Sequence, residues 1–187
     1  NYPYKELSGC GIGFKLVSAL QRERNLPFDD LLEYLDLVAI SIAADVVPLT
    51  GENRVLAYYG LKKINRCPRI GLEAILASSN VKHENNNGKL YFNRELTLSD
   101  LVFLIGPRIN AAGRMESGRL SVQLLKAKNA TEAKEAAEKI EKHNRARKEK
   151  DKKTTKEAFE TLERDASLKE KKAIVVVNDN WHKGVIG

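Results

Sequence analysis

The chain has 187 residues, enough for one domain or two small ones, and 42% of them are hydrophobic, which is enough to form a core. Its formal net charge of +7 is compatible with nucleic-acid binding, but equally with a well-solvated surface. The two cysteines, Cys10 and Cys67, form no CxxC motif, which excludes a zinc knuckle of that kind and favours a reduced, cytoplasmic protein. No apolar stretch approaches the roughly 18–20 residues of a membrane span, so we expect no membrane association.

The first glycine-rich stretch, SGCGIGFKL, precedes a run of apolar residues with helical spacing. Glycines that open a helix can bind an anion at the helix N-terminus. The spacing of Gly9, Gly11 and Gly13 does not match GxGxxG, however, and tight packing of the helix is the stronger interpretation.

Apolar residues at helical spacing predict that most of the first half is helical. A long apolar helix is predicted over residues 29–49, ended by Pro48. Further elements are predicted as helices over 51–66, 70–78 and 98–105, the last capped by Thr97 or Ser99, with a turn at 85–88 and a short strand over 89–93.

Asp45 is a single carboxylate within the apolar run of the long helix. A buried carboxylate is costly unless it is paired or binds a metal. The residue could therefore be a ligand, or it could simply face solvent or cap a turn, and the pattern leaves both interpretations open.

Three arginines, Arg108, Arg114 and Arg119, follow Gly106 and Pro107, which we expect to end the preceding helix. The small residues between them would allow a ligand to approach the backbone of a loop. Guanidinium groups suit bidentate contact with phosphate oxygens. An anion-binding loop and a loop whose arginines cap helices or are solvated are equally open. Because no aromatic residue follows Phe103 in this stretch, we expect backbone contacts rather than base stacking.

Residues 130–165 contain no glycine or proline and predict one helix on the order of 50 Å long. Apolar residues form a stripe at both of its ends but not over the basic middle, 143–156, which is typical of a helix that bridges two domains. The basic middle is either a solvated face or a wall beside a nucleic-acid backbone. We therefore divide the chain at 1–129, 130–166 and 167–187, the last with a β-branched strand over 173–177 that begins an α/β unit.

Several stretches together resemble the DHH phosphoesterase family: SGCGIGFKL, LDLVAISIAADVVPLTGENR, FLIGPRINAAGRM, the basic helix and NDNWHKGVIG. The long helix favours the single-stranded-DNA-specific exonucleases of this family over its shorter oligonucleotide phosphodiesterases. The resemblance covers nearly the whole chain. It implies a mainly helical fragment of an α/β fold: the C-terminal part of a DHH catalytic domain, a linker helix, and the first strand of a DHH-associated domain.

The resemblance also implies a function, namely hydrolysis of single-stranded DNA from the 5′ end, with Mn²⁺ or Mg²⁺, in DNA repair and recombination. It implies that Asp45 is a metal ligand and catalytic residue and that His182 faces the cleft, although from its spacing His182 could equally be a general acid, a phosphate contact or a helix cap. We expect a monomer that contacts the DNA through one set of residues, namely Arg108, Asn110, Arg114, Arg119, Arg145, Lys148 and Lys152.

The family's Asp-His-His motif and its upstream aspartates do not occur in this sequence. A two-metal site needs several ligands, which Asp45 cannot supply alone, so we expect a piece of a longer protein that does not cleave DNA by itself. Three other interpretations stay open. The first is a phosphodiesterase for short oligonucleotides or cyclic dinucleotides, which would prefer short substrates. The second is a non-catalytic helical module that binds nucleic acid without metal. The third is a helical scaffold whose charges are only solvated.

Overall fold

The computed structural model describes residues 2–79, 83–86, 89–92, 94–115, 117–164 and 171–185. Most of these residues are helical, which confirms a mainly helical chain. The elements in chain order are α1 (Gly9–Glu23), α2 (Asp29–Leu32), α3 (Leu35–Ala44), α4 (Gly51–Arg66), α5 (Ile70–Ala77), β1 (His83–Asn86), β2 (Lys89–Phe92), α6 (Leu98–Asp100), a π-helix (Leu101–Ile105), α7 (Gly106–Met115), α8 (Arg119–Leu125) and α9 (Ala130–Arg164).

Helix α3 lies at the centre of the fold and contributes to two hydrophobic clusters. The larger cluster joins α3 to α4, α5, α7, α8 and α9, and the smaller one joins α3 to α1, α2 and α4. A helix that faces apolar neighbours on all sides is expected to be apolar all round. Seven of the ten residues of α3 are buried, as this position requires.

The contact between α3 and α4 depends on a glycine. A Cβ atom on Gly60 would lie 2.2 Å from the carbonyl oxygen of Leu35 and 2.6 Å from the Cβ of Ala39. No side chain fits at such distances, so the two helix backbones approach closely only because residue 60 has none.

The predicted helix over 29–49 is wrong in two respects. It is divided at Glu33 and Tyr34 into α2 and α3, and it ends at Ala44 rather than at Pro48. The division coincides with a long-range contact, in which Arg69 donates a 2.9 Å hydrogen bond to the carbonyl oxygen of Glu33. The early end has a local cause, because Val46 has a φ of +52°, which leaves the right-handed helical region.

Gly106 and Pro107 do not end the preceding helix, contrary to the prediction. The π-helix 101–105 connects α6 to α7, and the N–H of Gly106 donates to the carbonyl of Leu101, five residues earlier. A proline ring normally meets the carbonyl four residues before it, and the extra residue of the π-turn changes which carbonyl lies there. Thr97 caps the N-terminus of α6, and its side chain forms a reciprocal capping box with Asp100.

Helix α9 confirms the prediction of one long helix. Its 35 residues correspond to about 52 Å. Its first half packs against α5, α7 and α8 through a buried stripe that continues further than predicted, to Asn144 and the half-buried Arg147. Its role as a linker between two domains stays a prediction.

Strands occur at one place in the described chain, the antiparallel hairpin β1–β2, in which His83 lies opposite Phe92. The strand predicted over 89–93 is confirmed as far as Phe92, but the predicted turn at 85–88 is wrong for Asn85 and Asn86, which belong to β1. Residues 87, 88 and 93 lie outside the described residues.

The strand predicted over 173–177 is wrong, because these residues form no strand. Val175 is 87% exposed. A strand needs a neighbour that pairs with its N–H and C=O groups. None runs beside 173–177 in the part of the chain that the structure describes. Among the described helices, none combines the length and apolar character needed to cross a membrane.

Candidate nucleic-acid interface

Asp45 lies at the C-terminal end of α3 with its side chain exposed. The Oγ of Ser41, one turn earlier, donates a 3.1 Å hydrogen bond to Oδ2 of Asp45. Asp45 therefore faces solvent, one of the two positions that the sequence left open, because the helix ends there, and its role as a metal ligand stays a prediction. Its second carboxylate oxygen remains available to a ligand.

The glycine-rich start of the chain lies beside the same end of α3. The backbone N–H of Cys10 lies 3.4 Å from the Oγ of Ser41, which links the first turn of α1 to the Ser41–Asp45 pair. The Oγ of Ser8 caps α1 by accepting from the N–H of Gly11. Gly11 is closely packed, since a Cβ there would lie 3.3 Å from Leu7, whereas Gly9 and Gly13 face open space. The packing interpretation therefore applies to one of the three glycines.

A groove of about 240 Å³ lies between the end of α3, α7 and α9. Two of the predicted residues, Asn110 and Arg114, line it together with Arg147 of α9. The rest of its lining is small or apolar: Ala43, Ala44, Val46, Val102, Gly106 and Pro107. No carboxylate is among these residues, and Asp45 is the chain neighbour of two of them. The groove thus joins two guanidinium groups and an amide close to an exposed carboxylate.

Arg108 does not line this groove and is instead paired with a carboxylate. It is buried, its Nε donates to Oε2 of Glu141 at 2.7 Å, and its Nη1 donates to the carbonyl of Leu104 at 2.7 Å. The predicted loop is in fact the helix α7, and Ala111 and Ala112 are buried in its packing against the core. Residues 108, 111 and 112 lie on one helical face and 110 and 114 on another. The predicted nucleic-acid contact of Arg108 would require its pair with Glu141 to open, and it stays a prediction.

The side chains of Arg114 and Arg119 are exposed and form no ion pair within the described residues. Arg114 borders the groove, but Arg119, the first residue of α8, does not. On α9, Arg145 lies 3.4 Å from Oε1 of Glu141, while Lys148 and Lys152 are exposed. None of these three α9 residues lines the groove.

Arg147 is the residue that sequence reasoning did not select. The buried stripe of α9 runs through Ala133, Ala137, Ile140 and Asn144, in steps of four, three and four residues. Three more residues lead to Arg147, so helical periodicity alone places it on the inner face. This signal was present in the sequence but was hidden by the many cations around it.

His182 belongs to a turn that lies against the C-terminal end of α7. Its Nδ1 accepts a 3.1 Å hydrogen bond from the N–H of Gly184, and a Cβ on Gly184 would lie 2.8 Å from the carbonyl oxygen of Arg114. The turn is also joined to α9, because the Nε1 of Trp181 donates to Oε2 of Glu157 at 2.8 Å. The Nε2 of His182 has no hydrogen bond to the described residues. These contacts bring His182 to the same end of α7 as Arg114.

The described residues do not form a metal site by themselves. They contain no group of three or more histidine, cysteine, aspartate or glutamate side chains that could hold an ion. Asp45 fits one ligand position, since its carboxylate is exposed and oriented by Ser41. A two-metal centre needs several more ligands.

No family model matches the chain. The chain is nevertheless similar in sequence and in fold to one class of proteins, the single-stranded-DNA-specific exonucleases. Along its whole length the chain is similar to a segment of RecJ. It is 39% identical to RecJ from Bacillus subtilis over 186 residues and 36% identical to RecJ from Escherichia coli over 201 residues. The chain covers 21% and 33% of these relatives, so it spans between a fifth and a third of their length.

Solved structures give the same result. The crystal structure of RecJ in complex with Mn²⁺ from Thermus thermophilus matches 99% of the chain with a TM-score of 0.77 and 31% sequence identity. The chain covers 25% of that structure. A second structure, of exonuclease RecJ bound to manganese, matches 98% of the chain with the same TM-score, and the chain covers 43% of it. The fold is consistent with a helical fragment of a DHH domain.

Proposed function

We propose that these residues are part of a metal-dependent exonuclease that degrades single-stranded DNA from the 5′ end, in DNA repair and recombination. The observation that carries this proposal is the match to RecJ along the entire chain, at up to 39% identity. The protein acts in the cytoplasm as a monomer.

Asp45 supplies one metal ligand in this proposal. Its exposure at the end of α3 and its orientation by Ser41 support the role. The similar RecJ structures contain Mn²⁺ or Mg²⁺, the ions that we propose here. Such ions lower the pKa of a bound water and so provide a nucleophile for phosphodiester hydrolysis. The other ligands come from parts of the protein outside these 187 residues, so the chain alone does not cleave DNA.

The groove holds a phosphate of the DNA strand. Arg114 and Arg147 offset its charge, and Asn110 donates a hydrogen bond that fixes its position. None of the described residues that line the groove carries a carboxylate, which supports this role. His182 faces the cleft at the end of α7.

Four further basic residues lie outside the groove lining. Arg119, Arg145, Lys148 and Lys152 are exposed and add salt-dependent, sequence-independent affinity. Arg108 acts as a positioning residue, because its ion pair with Glu141 joins α7 to α9, the two helices that carry Arg114 and Arg147.

The test compares Asp45→Ala with the unaltered protein, each with the rest of its chain. Degradation of a 5′-labelled single strand is followed in Mn²⁺, and binding is measured separately without metal. The matched control is Asp30→Ala, which removes an exposed aspartate from α2. We expect cleavage to be lost and binding retained in Asp45→Ala only. Equal cleavage by all three proteins would remove Asp45 from the site. Binding without cleavage in all three would support a non-catalytic module, and a preference for di- and trinucleotides would support an oligonucleotide phosphodiesterase.

A further inference from the structure

The outer face of α4 carries three cations and two tyrosines. Arg54, Tyr58, Lys62 and Arg66 follow one another at intervals of four residues, so they lie along one side of the helix, and Tyr59 lies beside them. Tyr58 is 61% and Tyr59 52% exposed. The three cations are exposed as well, and none forms an ion pair with a carboxylate of the described residues. From Arg54 to Arg66 this stripe is about 18 Å long.

The two rings are held in a defined arrangement. Tyr58 and Tyr59 meet edge to face, with their centroids 5.1 Å apart and their planes at 83°. The Nζ of Lys62 lies 6.0 Å from the centroid of Tyr58. Contacts of this kind restrict the rings and place a cation directly beside an aromatic surface.

Two grooves run along this stripe and meet at Tyr58 and Leu61, which line both. The first, of about 560 Å³, is mostly apolar and includes Arg54 and Tyr59. The second, of about 470 Å³, includes Lys62 and Arg66. The second groove also contains Arg94, which is paired with Asp100, and two carboxylates, Glu73 and Glu95. Both carboxylates therefore lie outside α4, and the charged side chains of the stripe itself are all cations.

We propose that this stripe, the α4 face (Arg54, Tyr58, Tyr59, Lys62 and Arg66), binds single-stranded nucleic acid. Bases stack on the two tyrosines, and the cations contact the phosphates between them. The proposal rests on the proposed function and adds a second surface to it.

The chemistry of the α4 face favours a single strand over an acidic protein segment. Every base has a π-face, so a pair of exposed rings accepts any sequence, and cations at regular intervals match a backbone with one charge per nucleotide. An acidic peptide would use the cations but has no comparable need for aromatic surface. None of the described residues that line the groove of Arg114 is aromatic, so the α4 face supplies the stacking that this groove lacks. The two surfaces are close in the sequence, because α4 begins at Gly51, shortly after Asp45.

The experiment uses the protein with the rest of its chain and a fluorescent thymidine oligonucleotide of roughly 20 nucleotides, without metal so that no cleavage occurs. One variant combines Tyr58→Ala with Tyr59→Ala, and the other combines Lys62→Gln with Arg66→Gln. The matched control is Tyr34→Ala, which removes a tyrosine that is 52% exposed but lies at the start of α3. Thermal unfolding verifies that each variant is folded.

We expect the tyrosine variant to bind at least about tenfold more weakly, since it removes both surfaces on which bases stack. The Lys62/Arg66 variant should reduce the slope of log K against log salt by about 1.4, which corresponds to two phosphates on a single strand. The control should bind like the unaltered protein, with the same salt slope. Photocrosslinking of a bromouracil-containing strand to the unaltered protein should modify Tyr58 or Tyr59.

The outcomes separate the two proposals. A protein that degrades single strands but binds equally well without Tyr58 and Tyr59 would overturn the α4 face and leave the proposed function intact. Crosslinks confined to other elements would also overturn it, and would indicate that another part of the protein covers α4. An unaltered protein that neither binds nor degrades single strands would refute the proposed function itself, and the α4 face with it.

Discussion

Asp36 and Arg69 form a bidentate ion pair between the first turn of α3 and the start of α5. The Nε of Arg69 lies 2.6 Å from Oδ2 of Asp36, and its Nη2 lies 2.8 Å from Oδ1. Asp36 is fully buried. The same guanidinium also donates to the carbonyls of Glu33 and Leu125. One side chain therefore joins α2, α3, α5 and α8, and it satisfies a carboxylate that would otherwise be buried alone.

Removing Arg69 should destabilise the protein strongly. Arg69→Met leaves the carboxylate of Asp36 buried without a counterion, which typically costs about 3–5 kcal/mol. The control is Lys63→Met, because the pair of Lys63 with the exposed Glu33 should contribute about 0–1 kcal/mol. The free energy of unfolding in urea measures both. Similar losses in the two variants would mean that burial of Asp36 does not determine the effect.

Two glycine-to-alanine changes should have opposite effects. In Gly60→Ala the new methyl group meets the Leu35 carbonyl, so α3 and α4 must separate, and we expect a loss of about 1–3 kcal/mol. In Gly13→Ala, within α1, nothing lies within 4 Å of the new Cβ, and we expect a gain of about 0.5–1 kcal/mol from helix propensity. Thermal unfolding of the two variants checks the sign, and a loss in both would contradict the open space at Gly13.

The elements that could be predicted from the sequence are those that depend on local signals. The helix over 130–165 contains no helix-breaking residue. Helix α4 follows a proline, and its apolar residues recur at helical spacing. Both helices therefore appear nearly as predicted. The division of the helix over 29–49 coincides with a hydrogen bond from Arg69, a residue more than 30 positions away, and no local pattern predicts that contact. The strand over 173–177 has a strand-like composition, but pairing depends on a neighbour and not on composition.

The candidate site followed the same rule. Asp45 and Arg114 stand out from local patterns and Asn110 only from the family resemblance, and the structure brings Asn110 and Arg114 to one groove whose lining also includes the neighbours of Asp45. Arg108 stands in the same string, but the helical period turns it to the opposite side, where Glu141 is its partner. Had the string been interpreted as a helix rather than a loop, this separation would have followed from the spacing.

The capping box of α6 should make stability depend on pH. Hydrogen bonds from the Arg94 guanidinium and from Thr97 hold the pKa of Asp100 well below its usual range. A carboxyl whose pKa is lower in the folded state stabilises the fold above its unfolded pKa, and this contribution is lost as the pH falls below about 4. Asp100→Asn should therefore lower the unfolding midpoint at pH 7, and the difference from the unaltered protein should shrink towards pH 2–3, a range estimated from the usual aspartate pKa of about 3.9. Asp30→Asn, at an exposed carboxylate, is the control. A difference that is constant with pH would contradict the role of the charge.

The two arginines of α7 should separate stability from nucleic-acid binding. Arg114 is exposed and borders the groove, so Arg114→Met should weaken binding of a single strand and reduce the salt slope by about 0.7, the value for one phosphate. Its free energy of unfolding should change by less than about 0.5 kcal/mol, as is usual for surface positions.

Arg108→Met should behave in the opposite way. It leaves Glu141 with the more distant Arg145 as its partner, and we expect a loss of about 2–3 kcal/mol in stability, somewhat below the range for a fully buried pair. Binding, measured by fluorescence anisotropy at a temperature where both variants are folded, should retain the salt slope of the unaltered protein. If Arg108→Met instead reduced that slope while the stability stayed constant, Arg108 would contact the strand directly, and its pair with Glu141 would have to open when the strand binds.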